Sequence, residues 1–314
     1  MKFALVFPGQ GSQKLGMMDA YGDHPVIRTT FAEASAALGR DLWQLVSEGP
    51  AEALNQTVNT QPLMLTAGIA AYRLWLAKGG QEPALVAGHS LGEYSALVAA
   101  GAISFADAVP LVELRARAMQ EAVPAGEGGM AAILGLDVAT VRAACAEAVQ
   151  QGAAGDVVEA VNLNAPEQTV IAGHATAVQR AADLCKARGA KRAMLLPVSA
   201  PFHCALMRPA AEKLQQRLLT LAVCAPKIPL INNVDVAIVQ DPAQIRDALV
   251  RQAAAPVRWV ETMQAMAAHG VSHVYECGPG KVLAGLVKRC ADGLEGGALA
   301  DAAGMDAAIA NLSA

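Results

Sequence analysis

Apolar residues fall along this chain in two rhythms. Short, mostly apolar runs at Phe3–Phe7, Ala84–Ala87, Ile228–Val234 and His273–Cys277 read as strands buried on both faces. Between them, Gln61–Lys78, Phe105–Val123 and Ala243–Gln252 carry apolar residues at helical spacing. The alternation predicts a parallel sheet covered by helices on both faces. Gly126-Glu127-Gly128-Gly129 breaks the pattern. A different order follows, with Met130–Leu134 a strand, Ala139–Gln150 a helix, Val157–Leu163 and Thr169–Ala172 strands, Ala175–Arg188 a helix and Ala193–Val198 a strand. That β-α-β-β-α-β order matches a ferredoxin-like unit. It predicts an insertion over residues 127–197 within a core formed by 1–126 and 198–314. From Asp292 onward Ala and Gly dominate, and the tail reads as a last helix with a frayed end.

Composition narrows the function classes. Of 314 residues, 54% are hydrophobic and 17% charged, which suits a sizeable buried core. Aromatics are 4%, the net charge is −4 and there is no long basic run, so no nucleic-acid surface is expected. The apolar N-terminal run stops at Pro8-Gly9-Gln10, short of a secretory core. Leu63–Leu76 is interrupted by Thr66, Gly68 and Arg73, so no membrane span is expected either. Cys145, Cys185, Cys204, Cys224, Cys277 and Cys290 contain no C-x-x-C pair. They point to reduced thiols in a cytoplasmic protein rather than to zinc or a disulfide framework.

The sharpest chemical signal is Val86-Ala87-Gly88-His89-Ser90-Leu91-Gly92-Glu93-Tyr94. An apolar strand precedes it, Leu91, Tyr94, Leu97 and Val98 continue it at helical spacing, and Gly101 is placed to end that helix. Gly88-x-Ser90-x-Gly92 between strand and helix is a nucleophile elbow, in which a sharp turn lifts the serine oxygen clear of the sheet beside helix amides. A serine hydroxyl needs a nearby base. His24, His174, His269 and His273 read as surface or structural residues. His203 follows an apolar stretch ending at Pro201-Phe202, at a strand end where open α/β sheets assemble sites. Position alone leaves it open between base and core histidine. The glycine-rich Pro8–Gly16 segment fits neither a dinucleotide nor a P-loop spacing.

Five segments carry a resemblance. Phe7-Pro8-Gly9-Gln10-Gly11-Ser12-Gln13, Gly88 to Leu97, the Arg115 segment, Pro201-Phe202-His203 and Gly278-Pro279-Gly280 resemble malonyl-CoA:acyl carrier protein transacylases, in that family's order and nearly end to end. The resemblance implies an α/β hydrolase-like core carrying the ferredoxin-like insertion. It implies that Ser90 takes malonyl from malonyl-CoA as a malonyl-serine and passes it to the phosphopantetheine thiol of acyl carrier protein, feeding fatty-acid chain elongation. His203 is then the base, the backbone amides of Gln10 and Leu91 the oxyanion hole, and Arg115 the clamp on the malonyl carboxylate. The main-chain carbonyl of Gln252 is implied to orient His203. His89 would reach the carboxylate or support the elbow, and Phe202 would crowd a 2-methyl branch. Asn162 and its neighbour Asn164 would lie near the substrate, although turn chemistry explains them nearly as well.

The same resemblance implies no metal and no resident cofactor, coenzyme A entering as substrate. Malonyl-CoA and acyl carrier protein are the partners it implies, and a monomer is expected. Lys186, Arg188, Lys191 and Arg192 would meet coenzyme A phosphates or the carrier, or else form a solvated helix end. One departure stands out. Ala253-Ala254-Ala255 precede Pro256-Val257-Arg258-Trp259, where the family usually has a polar Asn or Ser, so a side-chain hydrogen bond is missing there. Three rivals share features. A serine esterase or thioesterase would want an acid between nucleophile and histidine, and no arginine facing a free carboxylate. An acyltransferase of polyketide synthesis or malonate decarboxylation is not separated by these residues. A carrier-binding subunit without activity would not need both Ser90 and His203.

Overall fold

The computed structural model describes residues 1–198 and 200–313. Its strands are β1 (Phe3–Phe7), β2 (Leu85–Gly88), β3 (Gly128–Leu134), β4 (Val158–Ala165), β5 (Gln168–His174), β6 (Arg192–Leu195), β7 (His273–Cys277) and β8 (Glu295–Leu299). One sheet runs β2-β1-β7-β8 and all its pairings are parallel. β1 lies at its centre and every residue of it is buried. Alternate side chains enter two different cores. Phe3, Leu5 and Phe7 pack with residues of the helices Thr57–Ala77 and Phe105–Glu121. Ala4 and Val6 face Trp259, Met263 and Val287, from the helices Trp259–Ala268 and Ala284–Cys290. Burial on both faces is why β1 reads as an unbroken apolar run.

The second sheet runs β4-β5-β3-β6 and is antiparallel throughout. The helices Val138–Gln150 and Ala175–Ala187 cover one face, packing Ile133, Val141, Ile171 and Val178 together. The other face packs Met130, Val161 and Ala172 against Cys204, with Phe202 beside them. Leu163 N donates to Val257 O at 3.0 Å, and Val257 N to Val161 O at 2.8 Å. These two bonds fasten β4 to the chain that leads out of the helix Pro242–Gln252.

Three sequence expectations need correction. Ile228–Val234 makes no strand; it touches the sheet at one bridge, Val86 to Leu230. Pro229 offers a carbonyl but no N–H, and Asn232 and Asn233 then carry the chain off the sheet line. The tail beyond Asp292 holds β8 before the helix Ala302–Ser313 begins. Gly296 and Gly297 disguise that strand, because a Cβ would meet Ala284 O or the Tyr275 ring at 2.5 Å. The strand expected at Ala193–Val198 is Arg192–Leu195, ending before Pro197. Among the described residues no helix is long and apolar enough to cross a membrane. The six cysteines are free, and all but Cys224 are buried.

Candidate active site

β2 ends at Gly88, and the chain must turn into the helix Gly92–Ala99 within three residues. Only glycine fits either side of that turn. A Cβ on Gly88 would lie 1.9 Å from the Gly92 carbonyl carbon, and one on Gly92 would lie 2.0 Å from Phe7 O. Ser90 between them has φ 53, a left-handed conformation that a non-glycine residue adopts where the surroundings hold it. Asn233 does much of the holding. Its Oδ1 accepts from Ser90 N at 2.8 Å and its Nδ2 donates to Gly88 O at 2.7 Å. The residue is fully buried. Asn233→Ala therefore strands an amide and a carbonyl and is expected to cost about 2–3 kcal/mol. Chemical denaturation checks this, and a midpoint equal to the parent's contradicts it.

Ser90 Oγ donates to His203 Nε2 at 2.6 Å, and His203 Nδ1 donates to the Gln252 carbonyl at 2.9 Å. A carbonyl only accepts, so Nδ1 carries the proton and the Nε2 lone pair faces the hydroxyl. Three alanines follow Gln252, yet the contact is made, because main chain makes it. His203 is buried and has φ 67. Burial first, then the positive charge of Arg115, pushes the imidazole down to about 3, against the pull of the Gln252 carbonyl. The imidazole is thus held in its neutral form. Single-turnover acylation at saturating thioester is expected to vary less than about threefold from pH 8 to pH 5, where a free imidazole would lose its base form near 6.5. An inflection near pH 6.5 that persists in a Glu93→Gln variant, which removes a nearby buried carboxyl raised to about 7, contradicts this assignment.

Arg115 lies in the helix Phe105–Glu121, and only 1% of it is exposed. Its Nη1 donates to Gln61 Oε1 at 2.9 Å, while Nη2 donates to Ser90 Oγ at 3.2 Å and Gln252 Oε1 at 3.0 Å. The guanidinium sits 5.2 Å above the Tyr94 ring. Among the described residues no carboxylate forms an ion pair with it, although burial drives its pKa down. A buried charge with only neutral partners is costly, and a ligand carboxylate relieves that cost. Arg117, two residues on, is mostly exposed and sits 3.5 Å from Glu113: a solvated helix-face residue.

These groups border a cavity of about 80 Å³ lined by Gln10, Gln61, His89, Ser90, Leu91, Arg115, Met130, Asn162, Phe202 and His203. With roughly 30 Å³ per liquid water, that is room for a short acyl group. The backbone amides of Gln10 and Leu91 donate to no carbonyl among the described residues, which leaves two donors on the cavity that Ser90 borders. His89 Nε2 lies 2.8 Å from Asn164 Oδ1, and burial keeps its imidazole below the ordinary range. Asn162 Oδ1 is buried without a hydrogen-bond partner among the described residues. Both asparagines lie in β4, not in a turn. A neighbouring cleft of about 170 Å³ shares Gln10, His89 and Asn162 and runs out past Leu283 and Leu286.

The site residues expected from the sequence border this cavity, apart from Asn164, which lines the neighbouring cleft, and Gln252, which touches the cavity through His203 and Arg115. Three side chains were missed. Glu93 Oε2 accepts from Asn233 N at 3.0 Å and Gln252 Nε2 at 3.0 Å, and Gln252 Nε2 also donates to Ser90 O at 2.9 Å. Burial raises the Glu93 carboxyl to about 7, opposed by those hydrogen bonds and then by Arg115. Nothing in the local sequence marks Glu93, Asn233 or Gln61, which stand close to other polar residues such as Ser90, Asn232 and Thr60. The expected basic cluster is largely paired on the surface, Lys186 with Asp183 at 3.1 Å, Arg188 with Glu147, and Lys191 with Glu167 at 3.6 Å. His24 caps a helix through Val26 N, and His174 accepts from Val157 N; both lie outside the cavity. No group of three or more metal-ligating side chains occurs among the described residues.

The acyl transferase domain family matches residues 4–307. The malonyl CoA-acyl carrier protein transacylase of Salmonella typhimurium is 58% identical, covering 98% of this chain and 99% of its own length. The acyl-carrier-protein S-malonyltransferase structure from Burkholderia pseudomallei superposes with a TM-score of 0.96 at 60% identity, covering 99% of this chain and 100% of its own. A malonyl-transacylase solved in complex with its type II PKS acyl-carrier protein also gives a TM-score of 0.96, at 53% identity over 99% of this chain and 100% of that one.

Proposed function

Because this chain belongs to the malonyl-CoA:acyl carrier protein transacylases, acyltransferases that move malonyl from coenzyme A to a carrier protein, we propose that Ser90 is its nucleophile and carries the malonyl group between the two thiols. Ser90 Oγ attacks the thioester carbonyl while its proton passes to His203 Nε2. The oxyanion is met by the amides of Leu91 and Gln10, a contribution of roughly 3–4 kcal/mol per donor. When the C–S bond breaks, the imidazolium returns the proton to the coenzyme A sulfur. The pantetheine thiol of the carrier then attacks malonyl-Ser90, giving its proton to His203, which returns it to Ser90 Oγ. The Gln252 carbonyl keeps Nδ1 protonated through both halves.

One observation carries this reading: Ser90 Oγ lies between the His203 base at 2.6 Å and the Arg115 guanidinium at 3.2 Å. Malonyl places a carboxylate one carbon beyond the thioester carbonyl. The Arg115 fork fits that carboxylate while Ser90 faces the carbonyl. Phe202 and the size of the cavity disfavour a branched acyl group, and His89 and Asn162 border the malonyl. The cleft past Leu283 suits the thioester arm. We assign the segment 127–197 as an inserted unit whose β4 supplies Asn162. No residue is assigned to a resident cofactor; coenzyme A arrives with the substrate. Neither nucleic acid nor membrane has a role in this scheme. We place the protein in the cytoplasm as a monomer.

The acceptor we propose is the carrier of fatty-acid elongation. A second reading, a polyketide carrier, is favoured by the relative solved with its type II PKS partner. Protein loaded with radiolabelled malonyl should hold the label for minutes and release it onto the preferred carrier of a panel. Rapid appearance of free malonate without carrier contradicts transfer and favours an esterase.

A further inference from the structure

Two opposite charges are buried beside the nucleophile without touching. Arg115 Nη2 donates to Gln252 Oε1 at 3.0 Å, and Gln252 Nε2 donates to Glu93 Oε2 at 3.0 Å. Glu93 and Gln252 are 2% and 0% exposed. The amide thus stands between guanidinium and carboxylate with its dipole aligned to both, oxygen toward the cation and N–H toward the anion. No other carboxylate approaches Arg115 among the described residues. Its remaining partners, Gln61, Ser90 and the Tyr94 ring, are neutral.

We propose that Glu93 is a positioning residue that sets selectivity: it is the resident counter-charge of Arg115, relayed by the Gln252 side chain, and it competes with the substrate's carboxylate for that cation. The arrangement lets the empty site hold a buried guanidinium in place, and it tempers the affinity for dicarboxylic cargo so that the malonyl group can leave. Glu93 reaches neither the substrate nor the reacting atoms; it acts through Gln252. Its fixed hydrogen bonds to Asn233 N and Gln252 Nε2 need only an acceptor, which a glutamine supplies as well. The charge can therefore be removed with the scaffold kept.

The inference rests on Arg115 being the carboxylate clamp. The test compares KM for malonyl-CoA and acetyl-CoA, and inhibition by free malonate, at pH 8 in the full-length protein. Glu93→Gln is expected to lower the malonyl-CoA KM and the malonate inhibition constant by about tenfold, the scale of removing one nearby charge in a partly desolvated site, while the acetyl-CoA KM moves less than about twofold. Glu93→Asp keeps the charge but shortens the acceptor, and its malonyl-to-acetyl KM ratio is expected to stay at the parent value. A merely structural Glu93 gives the reverse, Asp harming both substrates alike and Gln leaving the ratio unchanged, and that result overturns the proposal. Should Glu93→Gln fail to fold, the parent protein read at pH 8 and pH 6 decides in its place: protonating the buried Glu93 carboxyl, while Arg115 stays charged, should lower the malonyl-to-acetyl KM ratio several-fold, and an unchanged ratio contradicts the relay. Failure of the clamp itself is seen separately, as an Arg115→Ala variant that keeps its preference for malonyl.

Discussion

Arg115→Ala is expected to lower malonyl transfer by two to three orders of magnitude while acetyl transfer is spared or gains. The guanidinium is buried, makes no direct ion pair with a carboxylate among the described residues and lies 3.2 Å from Ser90 Oγ. In the acylated state it would face the malonyl carboxylate at close range. Removing one partner of such a buried pair costs roughly 3–5 kcal/mol, because the other charge is left in a poor solvent. An acetyl group brings no carboxylate and has nothing to lose. Steady-state kcat/KM for both thioesters checks the claim, and equal losses contradict it. The asymmetry also separates the clamp from damage to the nucleophile, since Arg115 is a hydrogen-bond donor to Ser90 as well.

His203→Ala should behave in the opposite way, lowering acylation by three to four orders of magnitude for malonyl and acetyl alike, with little change in KM. As the proposed base, His203 acts on the Ser90 proton, which both substrates demand. Nothing else in the cavity replaces it: His89 is committed to Asn164, and Arg115 cannot accept a proton. Single-turnover acylation of the purified variant measures this directly. Residual activity above about a tenth of the parent's would move the base elsewhere.

The parallel sheet was legible because its central strand is buried on both faces and therefore uniformly apolar. The ferredoxin-like unit was legible because its helices and strands change period cleanly. β8 was hidden by Gly296 and Gly297, whose missing side chains make room for Tyr275 and the neighbouring helix, so the feature that lets the strand pack also erases its pattern. Ile228–Val234 misled for the converse reason, being apolar enough for a strand but interrupted by a proline and turned aside by two asparagines. In the site, Ser90 could be read from local spacing alone, since an elbow is a local structure. His203, Arg115 and the Gln252 carbonyl needed the family resemblance, because each meets Ser90 only through the tertiary fold. Glu93 and Asn233 were out of reach for the same reason. Their partners lie 140 or more residues away, and no spacing rule spans that distance.

The central claim is that a single serine carries the cargo between two thiols. Intact-mass spectrometry after mixing the protein with malonyl-CoA tests it most directly, followed by peptide mapping and addition of a phosphopantetheinylated carrier. We expect one malonyl per chain, mapped to Ser90, stable until the carrier is added and then lost to its thiol. A malonyl group on any other residue, or an adduct that water removes before the carrier can, would contradict the account.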